Sequence, residues 1–104
     1  MNFGLKEEII DKINAVFAAF CQIDEVIIYG SRAKGNYRNG SDLDLTIKGS
    51  ELNLHVLNSV SLKLDDLLLP YTFDLSIYKQ ISNPDLIEHI KRVGKIFYQK
   101  KLYK

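Results

Sequence analysis

Tyr29-Gly30-Ser31-Arg32-Ala33-Lys34-Gly35-Asn36-Tyr37-Arg38-Asn39-Gly40-Ser41-Asp42-Leu43-Asp44-Leu45 is the stretch on which the fold and chemistry of this chain turn. Upstream of it, Val26-Ile27-Ile28-Tyr29 is a short β-branched apolar run ending at Gly30, the pattern of a central strand buried on both faces. Residues 30–40 are rich in Gly, Asn and basic side chains and predict a loop, with room for one helical turn after Ser31. Asp42-Leu43-Asp44-Leu45-Thr46-Ile47 then alternates polar and apolar, the period of a half-buried strand. Residues two apart on a strand share a face, so Asp42 and Asp44 project together while Leu43, Leu45 and Ile47 enter the core. Adjacent carboxylates repel and raise a pKa unless a cation neutralises them, and a divalent metal such as Mg²⁺ suits such a donor set. The competing explanation is a solvated polar face on an amphipathic strand.

Two neighbours bear on that choice. Phe73-Asp74-Leu75-Ser76-Ile77-Tyr78 alternates in the same way, with Asp74 on its polar side. If this strand lies beside the Asp42–Ile47 strand, three carboxylates converge on one patch of sheet, although aspartate is disfavoured in strands. The second neighbour is Gly30-Ser31, where a glycine permits close backbone approach and a helix start offers free N–H groups, the Ser31 hydroxyl and the charges of Arg32 and Lys34. Gly30 and Gly35 have the glycine spacing of a P-loop, but Asn36-Tyr37 stands where Lys-Ser/Thr is required, and no G-x-G-x-x-G occurs.

The remaining elements follow from periodicity. Ile9, Ile10, Ile13, Val16, Phe17 and Phe20 form the stripe of a helix within residues 5–20, opened by Glu7 and Glu8. Ser50 is the expected N-cap of a second helix reaching Leu68, with Leu54, Leu57, Ser61, Leu64 and Leu68 along one side and Pro70 beyond. Asn83-Pro84-Asp85 opens a third helix carrying Leu86, Ile87, Ile90 and Val93, closed by Gly94. Lys95-Ile96-Phe97-Tyr98 adds a short edge strand. Three helices alternating with three or four strands predict a small two-layer α/β (α+β) mixed sheet.

The chain has 104 residues, enough for one domain over residues 1–104. Its net charge of +1 is a poor footprint for gripping nucleic-acid backbone or an anionic membrane. One cysteine, Cys21, excludes an internal disulfide, and no Cys/His cluster has zinc spacing. The N-terminus lacks an apolar signal region and no window suits a membrane span, so a cytoplasmic location is expected. Asn39-Gly40-Ser41 matches a glycosylation sequon of little meaning there.

Gly30-Ser31, ten intervening residues and Asp42-Leu43-Asp44 resemble the G-S-x10-D-x-D signature of the DNA polymerase β nucleotidyltransferase superfamily. The fuller form, GSRAKG followed by SDLDL, is similar to its minimal nucleotidyltransferases. The resemblance spans about residues 9–98 in element order, with its specificity concentrated in 29–45. It implies a polymerase-β-like fold and a transfer of NMP from an NTP to a hydroxyl, with pyrophosphate released. It also implies that Asp42, Asp44 and Asp74 hold one or two Mg²⁺ ions and that Asp74 can take the acceptor's proton. Gly30 and Ser31 would bind the β- and γ-phosphates. Arg32, Lys34 and Ser41 complete the implied nucleotide-binding set, with Arg32 and Lys34 equally readable as solvated loop residues.

A chain this short has nowhere to enclose an acceptor, so a partner is expected to supply it, in a homo- or hetero-oligomer. The resemblance names a small helical HEPN-domain protein as partner, with AMP placed on its tyrosine in an antitoxin-like role. The alternatives are an inactive module that neutralises its partner by contact and an aminoglycoside-type small-molecule nucleotidyltransferase. His55 and His89 read as surface or packing residues and Cys21 as a small buried one. Tyr37 and Arg38 are candidates for base or ribose contact, or simply exposed loop residues; Lys100, Lys101 and Lys104 read as a solvated tail.

Overall fold

Val26 and Ile28 alternate with Ile27 and Tyr29 along a strand whose two faces meet different surroundings, and this difference organises the molecule. The computed structural model describes residues 3–38 and 42–100. Strand β1 (Glu25–Tyr29) leads directly into a short helix α2 (Gly30–Lys34), then β2 (Leu43–Lys48), helix α3 (Leu54–Asp65) and β3 (Phe73–Ile77). A 3-10 turn (Tyr78–Gln80), helix α4 (Pro84–Val93) and β4 (Lys95–Gln99) follow, and α1 (Glu7–Ala18) precedes them all. The sheet order is β3-β2-β1-β4, with β1 antiparallel to both β2 and β4 and β2 parallel to β3. The β2–α3–β3 connection makes the sheet mixed, because a parallel pair needs a crossover rather than a hairpin.

On one face, Val26 and Ile28 of β1 pair with Ile47 and Leu45 of β2, and all four are fully or almost fully buried. Helices α1 and α3 cover them with Ile13, Phe17, Val56, Val60 and Leu64. Phe17 meets Phe97 of β4 edge to face, with centroids 6.4 Å apart. Each such apolar side chain withdrawn from water contributes about 1.5–3 kcal/mol, so this layer supplies most of the driving force. The opposite face of β1 meets α4. There the Tyr29 ring stands edge-on to His89, and Gly94 lies so close to Ile27 that a Cβ would collide with it.

Helix α4 begins as expected: the Asn83 side chain accepts from the Asp85 N–H, with Pro84 in the first turn and Gly94 after the last. Helix α3 differs. Its N-cap is Asn53, whose Oδ1 accepts from the Val56 N–H at 2.9 Å, not Ser50. Val56, Val60 and Leu64 face inward against the sheet, while Leu54 in the first turn is 67% exposed and Leu68, beyond the helix, is 88% exposed. The helix stops at Asp65, and Leu68 has φ +54, outside helical space, ahead of Leu69 and Pro70. Cys21 is exposed, not buried: it lies in a turn after α1, whose inward stripe ends before it. The sequon Asn39-Gly40-Ser41 and the tail residues Lys101 and Lys104 lie outside the described residues.

Candidate active site

The face of the sheet away from α1 and α3 carries a row of polar groups. Register pairs Tyr29 of β1 with Asp44 of β2, and Asp44 with Asp74 of β3, so the three side chains stand in line across three strands. One step further along, Thr46 pairs with Ser76. Asp42 lies just before β2 and is exposed, as is Asp74; Asp44 between them is half-buried. The alternation in both strands places these aspartates here, because the leucines and isoleucines between them are claimed by the core.

Gly30 closes the other side of the row. It has φ +76, and a Cβ there would collide with a carboxylate oxygen of Asp44. Glycine is therefore needed twice, for the left-handed backbone and for the contact. The main chain at Gly30-Ser31 thus lies against the Asp44 carboxylate, at the start of α2, where Ser31 is half-buried.

Electrostatics reflects the crowding. Asp44 is held above the ordinary aspartate value of 3.8, first by burial and then by the charges of Asp74 and Asp42, with His89 acting in the opposite sense. Burial likewise raises the Tyr29 phenol; the nearby Ser76 hydroxyl offsets part of this, and the Asp74 and Asp44 charges add to the rise. The Ser76 approach falls short of a well-formed bond, since among the described residues neither Ser76 Oγ nor Thr46 Oγ1 has a hydrogen-bond partner of good geometry.

Among the described residues no three carboxylates, imidazoles or thiols form a ready-made metal cage. The donor chemistry nevertheless fits a divalent cation: the carboxylate oxygens are hard donors, and the Asp44 carboxylate, disfavoured first by burial and then by the charges of Asp74 and Asp42, is relieved by an added positive charge.

The family model described as "Polymerase beta, Nucleotidyltransferase" matches residues 11–102. The chain belongs to the polymerase β nucleotidyltransferase family. This nucleotidyltransferase is 30% identical over 81 residues to a protein of Methanocaldococcus jannaschii that is named as a protein adenylyltransferase, spanning 70% of this chain and 77% of that one. Its fold is similar to a chain of a toxin–antitoxin complex crystallised with AMP-PNP, with a TM-score of 0.71, 18% identity, and coverage of 88% of this chain and 74% of that chain. A complex of tri-AMPylated Shewanella oneidensis HEPN toxin with MNT antitoxin gives 0.67 and 15%, covering 92% of this chain and 74% of that one. At these identities the two structures establish a shared fold.

Within the nucleotidyltransferase, Gly30, Ser31, Asp42, Asp44 and Asp74 gather at one end of the sheet, where β1 ends and β2 and β3 begin. Lys34 is exposed on the last turn of α2. Ser41 lies outside the described residues. Arg32 is not a solvated loop residue: it is 3% exposed and its Nη1 donates to the Phe3 carbonyl at 2.8 Å. Its guanidinium also lies over the rings of Tyr37, at 5.2 Å, and Tyr71, at 5.3 Å. His55 is exposed on α3, away from this end.

The sequence does not show that Tyr29 and His89 stand beside the carboxylates, although the reading of His89 as a packing residue agrees with its ring contact to Tyr29. Tyr29 reads as the last apolar residue of a buried strand, and it is 8% exposed. Its position beside Gly30 was the available signal, and the pairing with Asp44 becomes visible only through the strand register. His89 carried no such mark, because only the tertiary placement of α4 brings it to Tyr29.

Proposed function

We propose that this nucleotidyltransferase transfers AMP from ATP to a hydroxyl on a small helical HEPN-domain partner, in the manner of an antitoxin. The observation that carries this reading is the opposition of Asp44 and Asp74 beside Gly30-Ser31. The relative named as a protein adenylyltransferase supports AMP and a protein acceptor, and the similar toxin–antitoxin chains support the partner class.

In this proposal Asp42, Asp44 and Asp74 hold Mg²⁺, one or two ions, which would neutralise the triphosphate and the developing charge. The chain's own groups do the rest. Gly30 brings backbone N–H groups and the Ser31 hydroxyl up to the carboxylates, so that a β- or γ-phosphate is seated next to them. Lys34 adds positive charge from the exposed side of α2. The acceptor oxygen attacks the α-phosphorus in line, and its proton passes to an Asp74 carboxylate oxygen. A new oxygen–phosphorus bond forms while the bond to the β-phosphate oxygen breaks, and pyrophosphate leaves with that electron pair. Positioning supplies most of the rate, since little other covalent work falls to the protein.

The test is isotope placement. With the protein, the HEPN-domain product of a neighbouring gene and Mg²⁺, label from [α-³²P]ATP is expected on the partner, and label from [γ-³²P]ATP is not. Label arriving from the γ position, or no label from either, would overturn the reading.

A further inference from the structure

Arg32 sits one residue after Ser31, yet it is buried among groups that lie on three separate segments. Phe3, whose carbonyl it binds, belongs to the N-terminal segment before α1. Tyr37 lies in the connection leading to Asp42 and Asp44, and Tyr71 lies three residues ahead of Asp74. Both tyrosine rings flank the same guanidinium. The approaches to β2 and β3 are themselves joined, because the Leu43 N–H donates to the Thr72 carbonyl at 2.9 Å. The N-terminal segment is fitted tightly around the same group, and a Cβ on Gly4, at φ +74, would run into the Tyr37 ring.

A guanidinium this deeply buried is stable only where its charge and its N–H groups are met. Planar stacking on aromatic rings and donation to a carbonyl are what arginine offers and lysine does not. Turning Arg32 outward to a phosphate would open two ring contacts and a charged hydrogen bond at once.

We propose that Arg32 is a positioning residue: it ties the Gly30-Ser31 turn to the segments that deliver Asp42, Asp44 and Asp74, and so sets the distance between the phosphate seat and the carboxylates. The claim rests on the reading of those residues as the transfer site. It assigns Arg32 no contact with the nucleotide. Tyr37 and Tyr71 act through it, and Tyr71 lies outside every nucleotide-binding candidate named above.

The test uses the full chain with its partner, comparing wild type with Arg32→Lys, Arg32→Gln, Tyr71→Leu and the Arg32→Lys/Tyr71→Leu double variant. ATP affinity by calorimetry, kcat and KM for AMP transfer, and melting temperature are measured for each. A positioning role predicts that Arg32→Lys loses activity about as severely as Arg32→Gln, by about 10–100-fold, as is typical when an outer support of a site is removed. It also predicts that Tyr71→Leu moves kcat in the same direction and that the double variant is no worse than Arg32→Lys alone, the non-additivity of partners in one contact. Near-wild-type Arg32→Lys beside a crippled Arg32→Gln would show a direct charge contact and overturn the proposal. So would a silent Tyr71→Leu, or activity losses that merely follow a lower melting temperature. Asp44→Asn runs alongside: if it keeps wild-type transfer and ATP binding, the reading of the site fails, independently of the ranking among the Arg32 and Tyr71 variants.

Discussion

Asp44 and Asp74 occupy the same register position of the parallel β2–β3 pair, side by side on the face of the sheet that the core does not use. Strand alternation leaves them no other face, and Gly30 presses backbone against one of them. The pair is poorly placed for stability, and in the proposed function it receives a cation beside a phosphate. Its consequences can be measured.

The first concerns pH. Asp44 binds its proton more tightly in the folded chain than in the unfolded one, so its contribution to stability is complete below the unfolded value near 3.8 and is lost as pH rises through the raised folded value. Asp44→Asn removes that loss. The variant is expected to melt at a higher temperature than wild type at pH 7, with the difference vanishing towards pH 3. Thermal melts across that range check it, and a lower melting temperature for the variant at pH 7 would contradict it.

The second concerns cations. If Asp42, Asp44 and Asp74 hold Mg²⁺, Mg²⁺ with ATP raises the melting temperature of wild type, because ligands that bind only the folded state stabilise it by mass action, about 2.7 kcal/mol at 100 times Kd. For a domain of this size that is a rise of roughly 10–20 °C. Asp44→Asn is expected to abolish most of the rise. An equal shift in the variant would place the ligand elsewhere.

The third separates two glycines. Gly30→Ala meets both a positive φ and the Asp44 carboxylate, whereas Gly35 has φ +85 but no neighbour within 4 Å of a Cβ. Gly35→Ala should cost about 1–2 kcal/mol from its backbone alone and leave transfer intact. Gly30→Ala should lose transfer at least about tenfold as its carboxylate neighbour is displaced. Denaturant titrations and initial rates on both variants test the contrast.

The fourth tests the phase of α3. Leu64→Ala should cost about 2–5 kcal/mol, while Leu54→Ala, on the exposed side, should stay within about 0.5 kcal/mol. Urea melts decide it, and equal costs at the two positions would contradict the observed packing.

That helix also marks a limit of what the sequence alone conveys. Leu54, Leu57, Leu64 and Leu68 trace a plausible stripe, but Val56 and Val60 trace another, and a segment apolar on several sides does not declare which one is inward. Packing against the sheet decides the phase, and that is a tertiary fact which the local pattern does not contain. The strands were legible for the opposite reason: a period of two leaves one choice of face, which puts Asp44 and Asp74 on the polar side from sequence alone. Their being neighbours depended on strand order, which periodicity does not contain. Arg32 was the least legible residue of the site. A basic side chain in a Gly- and Asn-rich stretch looks solvated, and nothing in its local sequence points to rings at Tyr37 and Tyr71 or a carbonyl at Phe3.

In the proposed reaction the carboxylate row performs the transfer. Its most direct measurement is the rate of label transfer from [α-³²P]ATP to the HEPN-domain partner by wild type, Asp44→Asn and Asp74→Asn at matched folded concentrations. Losses of at least about 100-fold are expected in each variant, the scale of removing a group that acts on the reacting atoms. Label transferred by either variant at the wild-type rate would contradict it.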